Sequence, residues 1–278
     1  MKEPIFMVQK EIPAVPAAMS KDKLRQILKK EYENPTTFVD KLRKEFDYKF
    51  AKIDKHPFLT EIEKGELPRE KYNTYAIQNY FYFLAQFRNT SIASGLADDL
   101  FKVQLFLDWG KGWTPEFEKY KKIIKNFGVT ESEMEAVLTD PTVPLPASRA
   151  YADYGFYIYS TGTLGEIACT TFPCAWTYSA REIGGVECPL RVGTGLAKYY
   201  GVDKKLALSY GNYSRQQPHL AVLKNLKDII NYEAEKGGKE IKAKIRDVFS
   251  RCLDYEYKWW DTAYRHEPGK EVEIGSYF

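Results

Sequence analysis

The chain has 278 residues, enough for one large domain or two small ones with a substantial core. Its composition is that of an ordinary folded protein, 44% hydrophobic and 28% charged, but with a high aromatic share of 15%. A formal net charge of +3 with no long basic run argues against a nucleic-acid partner, because KLRK at 41–44 and YKKIIK at 120–125 read as solvated helix faces.

Residues 1 to about 18 carry prolines and no periodicity, which predicts an extended N-terminal arm, placed at 1–20, ahead of a helical domain over 21–266 and a tail over 267–278. A short charged helix is expected from Asp22 to Tyr32, stopped before Asn34-Pro35. Thr36 or Thr37 then caps one helix running to His56-Pro57, with Phe38, Leu42, Phe46 and Phe50 forming an apolar stripe. A short helical turn ends at Gly65, and Leu67-Pro68 opens a long helix to about Leu96. On it Tyr75, Asn79 and Tyr82 share a face, and Asn79 stands out because a buried amide needs partners.

Two helices are predicted next, Leu100 to Trp109 and Thr114-Pro115 to Asn126, followed by a short one opened by a Thr130/Glu133 capping box. After the proline-pinned loop 140–146, a tyrosine-rich helix spans Ser148 to Ser160. Thr163 then caps a central helix carrying Glu166 through Glu182. Helices over Val192–Tyr200, Asp203–Tyr210, Gln217–Lys236 and Lys239–Tyr264 complete an all-α domain, with no period-2 segment anywhere. GTGLAK at 193–198 lacks a third glycine and a preceding strand, so it is not a dinucleotide loop.

Four cysteines, Cys169, Cys174, Cys188 and Cys252, form no CxxC pair, and no apolar run reaches membrane-spanning length or resembles a signal peptide. The expectation is a reducing, cytoplasmic compartment with no membrane partner. With only His56, His219 and His266 available, a histidine-rich metal site is hard to build, although an all-carboxylate one stays open. His56, just before Pro57, reads as a capping or interface residue.

Two stretches bear chemistry. In TTFPCAWTYSAREI (170–183) Cys174 and Tyr178 are four residues apart on one helix face, able to share a pocket. A cysteine there reads either as core filling or, given polar company, as a nucleophile. In CLDYEYKWWDTAYRH (252–266) Glu256 and Trp260 share a face, with Tyr264 one turn on. Glu256 is either an acid/base raised by desolvation or a surface glutamate paired with Lys258.

Taken together, HPFLTEIEKGELPREKYNTYAIQNYFYFLAQF (56–87), AYADYGFYIYSTGTLGEIACTTFPCAWTYSAREIG (150–184) and YEYKWWDTAY (255–264) resemble the three signature regions of the TenA, or thiaminase II, family, in the family's order. The resemblance implies a haem-oxygenase-like multi-helix bundle that needs no haem or other cofactor, assembled as a homotetramer or, alternatively, a dimer. It implies hydrolytic release of hydroxymethyl pyrimidine from thiamine, or from its aminomethyl pyrimidine breakdown product, for thiamine salvage. Cys174 matches the nucleophile that adds to the ring, and Glu256 the residue that handles the proton at a ring nitrogen. Tyr82, Tyr151, Tyr178 and Tyr210 match pocket tyrosines. Where the family has an aspartate that clasps the 4-amino group and ring nitrogen, this chain has Asn79. An amide can still pair with that edge but brings no charge. The departure points to a related pyrimidine substrate or slow turnover, or to a protein that only binds or regulates. A metal-dependent oxidase branch of the fold is disfavoured by the shortage of histidines.

Overall fold

The structure, a computed structural model, describes residues 19–140 and 142–266 except for the side chains of Trp113 and Glu116. The expected arm over 1–18 and tail over 267–278 lie outside the described residues. The elements are α1 (Lys21–Glu33), α2 (Phe38–Glu45), α3 (Asp47–Asp54), α4 (Pro57–Lys64), α5 (Arg69–Leu96), α6 (Leu100–Lys125), α7 (Glu131–Thr139), α8 (Pro146–Thr161), α9 (Leu164–Tyr178), α10 (Cys188–Tyr199), α11 (Lys204–Gly211), α12 (Gln217–Lys236) and α13 (Gly238–Arg265). Among the described residues there is no strand.

α9 is the axis of the bundle. Of its 15 residues only Leu164 and Tyr178 escape full burial, so it is packed on every side, chiefly by α12 and α13. Its start is fixed by a capping box in which Thr163 and Glu166 exchange hydrogen bonds. Its end comes earlier than the sequence predicts, at Tyr178 rather than Glu182. The chain then folds back, with the Val186 N–H donating to the Thr177 carbonyl (2.8 Å) and the Trp176 indole to the Ile183 carbonyl (2.7 Å). The first bond satisfies one of the helix's last carbonyls, and the second ties the returning chain to the helix.

Two further expectations are corrected. The predicted helix over 37–55 is broken at Phe46 into α2 and α3, a one-residue kink that lets both halves wrap the core. Phe46 stacks on Phe249 (5.8 Å), while Phe50 meets Trp176 edge-on (6.1 Å). Conversely, the two helices predicted between 100 and 126 are one, α6, which runs straight through Pro115. An internal proline costs about 3 kcal/mol. Burial of Phe106, Trp109, Tyr120, Ile123 and Ile124 against the bundle outweighs it. α6 lies so close along α5 that a methyl group on Gly110 would sit 2.6 Å from Thr90 Oγ1.

The glycines of GTGLAK explain themselves as packing. A Cβ at Gly193 would meet the Ala207 carbonyl at 2.5 Å, and one at Gly195 the Ile62 carbonyl at 2.2 Å. α10 is therefore pressed against α11 on one side and α4 on the other. This seating brings Tyr210, carried by α11, to the same cavity as Tyr178 at the end of α9.

Candidate active site

Five helices and one turn send side chains to a single small cavity. α9 contributes Cys174 and Tyr178, α13 Glu256 and Trp259, and α5 Asn79, Tyr82 and Phe83. α8 adds Tyr151, α11 adds Tyr210, and the short turn after α11 adds Tyr213. All seven residues singled out in the sequence thus line one space. Its free volume is about 20 Å³, little more than one water needs.

Cys174 is the residue after Pro173, deep in α9, and only 8% exposed; Glu256 is 2% exposed. The reading of Glu256 as a surface glutamate paired with Lys258 is thereby overturned. The thiol and the Trp260 ring N–H lie against the carboxyl. Burial pushes the Glu256 pKa up to about 7, and these two donors pull it partly back. The Cys174 thiol is raised well above the usual thiol range, first by burial and then by the negative charge of Glu256. Neither group forms an ion pair among the described residues. Oε1 of Glu256 lacks a partner in hydrogen-bonding geometry, an unusual state for a buried oxygen.

The walls are aromatic and carry polar tips. Tyr82 packs between Tyr151 and Trp259 at 5.0 Å from each, and the hydroxyls of both tyrosines lack partners in good geometry. Their phenols are raised well above the usual range by burial, so both are neutral donors facing the cavity. Tyr178 interacts with Tyr75, whose hydroxyl lies 3.4 Å from that of Tyr210 and whose ring stacks on Trp260 at 4.9 Å. Asn79 is buried, and its amide interacts with the Tyr120 hydroxyl behind it.

Phe83, Tyr213 and Trp259 were not singled out by sequence. Each could have been found by helical spacing: Phe83 is four residues after Asn79, Tyr213 three after Tyr210, and Trp259 three after Glu256. Trp259 rather than Trp260 forms the wall, while Trp260 is fully buried behind Glu256. Tyr264 is directed away, donating to Glu61 at 2.6 Å. His56 acts as a cap, its Nδ1 accepting from the Phe58 N–H at 3.1 Å, with Nε2 at 3.5 Å from Asp261. His219 is held neutral, its pKa pushed down to about 4 by burial. No cluster of three or more metal-ligating side chains occurs among the described residues, and no helix there is long and apolar enough to cross a membrane.

An all-helical bundle with a buried thiol and carboxyl facing into an aromatic pocket defines a haem-oxygenase-like fold with a candidate site for flat rings. The fold is shared with a domain from Shewanella denitrificans OS217 described as haem-oxygenase-like (TM-score 0.59, 13% identity, covering 92% of this chain and all of that one). A TenA homologue from P. horikoshii OT3 superposes with a TM-score of 0.64 at 23% identity, over 83% of this chain and 99% of that one. The family model described as TENA/THI-4/PQQC matches residues 43–266, and the chain belongs to that family. Among characterised relatives, an aminopyrimidine aminohydrolase of Bacillus subtilis is 26% identical over 220 residues, 79% of this chain and 86% of the relative.

Proposed function

We propose that the protein is an aminopyrimidine hydrolase of the thiaminase II type, with Cys174 as nucleophile and Glu256 as the group that carries the proton. The observation behind this is the thiol and a carboxyl of pKa about 7 placed against each other in a small, ring-walled cavity. Relatives named aminopyrimidine aminohydrolase support the hydrolase class.

A thiol with a raised pKa is a poor nucleophile unless a base takes its proton. Glu256 is near its own pKa at neutral pH, so it can accept that proton and give it up again. The transfer leaves the net charge of the pair unchanged, which suits a site without a cation. Sulfur adds to ring carbon C6, and Glu256 returns the proton to the ring nitrogen as aromaticity is lost. The freed electrons expel the leaving group from the exocyclic CH₂, and water delivers hydroxyl to that carbon and its proton to a departing amine or, when a thiazole leaves, to solvent. Loss of the thiolate, with the ring-nitrogen proton returned through Glu256 to sulfur, restores the ring. Asn79 pairs with the 4-amino group and its neighbouring nitrogen, accepting from one and donating to the other. Tyr82 and Tyr151 offer hydroxyls to the ring's other polar atoms.

The substrate is thiamine or aminomethyl pyrimidine, in a salvage role, and the working form is a homo-oligomer. Leu96 (55% exposed), Leu100 (80%) and Leu107 (48%) along α5 and α6 support assembly through that edge. The second reading, a pyrimidine-binding or regulatory protein, is favoured by Asn79, which supplies no charge to activate the ring. Incubation with each pyrimidine beside a Cys174→Ser control separates the two. Thiol-dependent release of hydroxymethyl pyrimidine supports the enzyme, and tight binding without release supports the binder.

A further inference from the structure

A second and much larger cavity, of about 760 Å³, opens between α6, α11 and the start of α12. It shares a wall with the first: Tyr213 lines both. The Tyr213 ring lies 6.1 Å from Tyr210 on the site side and meets His219 edge-on at 5.6 Å on the groove side. His219 lines the groove, and its Nε2 lies 3.3 Å from the carbonyl of Ala175, the residue after Cys174. The two spaces are therefore neighbours that share the Tyr213 side chain as a wall.

With about 20 Å³ of free space the small cavity admits a pyrimidine only if its walls give way, and it leaves no room for a bulky leaving group, which the groove can hold. Trp109, Leu208, Pro218 and Val222 give it apolar walls of the kind that grip a flat ring. Among the described residues its charged lining comprises Lys119, Lys205 and Asp108. Asp108 already accepts from Gln104 at 2.9 Å, while Lys205 has no ion pair among the described residues. Gln216, the N-cap of α12, and Pro218 in its first turn also line the groove, and the cap makes no side-chain hydrogen bond. The open end of a 20-residue helix adds to the attraction for an anion.

We infer that this groove is the leaving-group half of the site and that it takes a ring bearing an anionic tail, so that the preferred substrate is a pyrimidine whose CH₂ carries a phosphorylated heterocycle. The inference rests on the pyrimidine-hydrolase reading above. In the reaction the bond between the CH₂ carbon and the cationic ring nitrogen breaks, its electron pair stays with the nitrogen, water supplies hydroxyl to the carbon, and one proton is released. The neutral heterocycle leaves into the groove with its phosphate intact. Tyr213, on the dividing wall, must turn aside for such a substrate to span both spaces.

The test compares kcat/KM of the full-length protein for aminomethyl pyrimidine, thiamine and thiamine monophosphate in wild type, Lys205→Glu, Lys205→Arg and Ser209→Trp, the last narrowing the groove from an exposed position. The expected result is a lower KM for thiamine monophosphate than for thiamine in wild type. The phosphate-to-aminomethyl ratio should fall about tenfold in Lys205→Glu, the weight of one charge-assisted contact, and recover in Lys205→Arg. In Ser209→Trp both thiamine compounds should lose ground to aminomethyl pyrimidine. Equal effects on all three substrates, or cleavage of aminomethyl pyrimidine alone, would overturn the inference while leaving the hydrolase intact. If no pyrimidine is cleaved the hydrolase reading fails, and calorimetric titration of the thiazole phosphate half alone decides the groove. Binding weakened at least tenfold by Lys205→Glu keeps it, and no binding removes it.

Discussion

The Cys174 thiol on α9 and the Glu256 carboxyl on α13 lie against each other with no counter-cation among the described residues to stabilise either as an anion. Burial disfavours charge on both, so the pair holds one negative charge at most near neutrality. Activity then requires Glu256 to be the ionised member before the proton moves. The expected kcat/KM for the pyrimidine substrate rises with pH to a plateau above about 7, the Glu256 value. Glu256→Gln should lower the plateau by about a hundredfold to ten-thousandfold and erase the limb. A pH–rate profile of both proteins checks this.

Replacing the sulfur tests the nucleophile. Cys174→Ser keeps the shape of α9 but substitutes a hydroxyl too basic to be ionised by a carboxyl of this strength. Turnover should drop about a thousandfold or more while pyrimidine binding, read by calorimetry, stays within a few-fold. An equal loss of binding would mean that the thiol serves the fold.

The raised Glu256 pKa also predicts a stability effect with a definite sign. The folded value, about 7, exceeds the ordinary carboxyl value of 4.5, so the folded form binds the proton more tightly. Stability from this group is full below the unfolded value and is lost as pH rises through about 7, a loss of order 3 kcal/mol. Glu256→Gln removes that loss. Its melting temperature should exceed wild type by several degrees at pH 8, with the advantage fading toward pH 5.

Asn79→Asp would place a carboxyl where an amide now interacts with Tyr120. If charge beside the ring activates it, thiamine cleavage should quicken up to about tenfold, with free-protein stability reduced by about 1–3 kcal/mol. Equal rates would show that the amide's hydrogen-bonding pattern suffices.

Gly195→Ala tests how the site is held from a distance. The added methyl collides with the Ile62 backbone carbonyl, which cannot yield as a side chain would. A destabilisation of about 1–3 kcal/mol or more is expected by chemical denaturation. Because α10 also seats α11, KM should rise through displacement of Tyr210.

Much of this was readable from sequence because it depends on neighbours in the chain. Thr37, Thr130 and Thr163 cap where their spacing says, and Gly65 closes α4 in the left-handed conformation that favours glycine. The misreadings arose where tertiary contacts overruled local signals. Pro115 is carried through α6 by packing on α5, Phe46 kinks to follow the core, and α9 stops at Tyr178 because the returning strand of backbone satisfies its end. At the site, Cys174, Glu256, Tyr82, Tyr151 and Tyr178 emerge from the three signature segments, and Tyr210 from outside them. Trp259 was hidden beside Trp260, since three- and four-residue spacings both place a side chain over the same turn, and only packing distinguishes them. The groove at Tyr213 had no linear signal, because its walls come from three separate helices.

The division of labour among helices has a consequence for how the protein can change over generations. Thiol and carboxyl sit on α9, the bundle axis, and on α13, which packs against it, while most of the other side chains lining the cavity come from α5, α8 and α11 and the adjoining turn. Substitutions in the outer set can therefore change the shape and polarity of the cavity while leaving the thiol and carboxyl untouched. Innovation in what is recognised is uncoupled from the chemistry that follows.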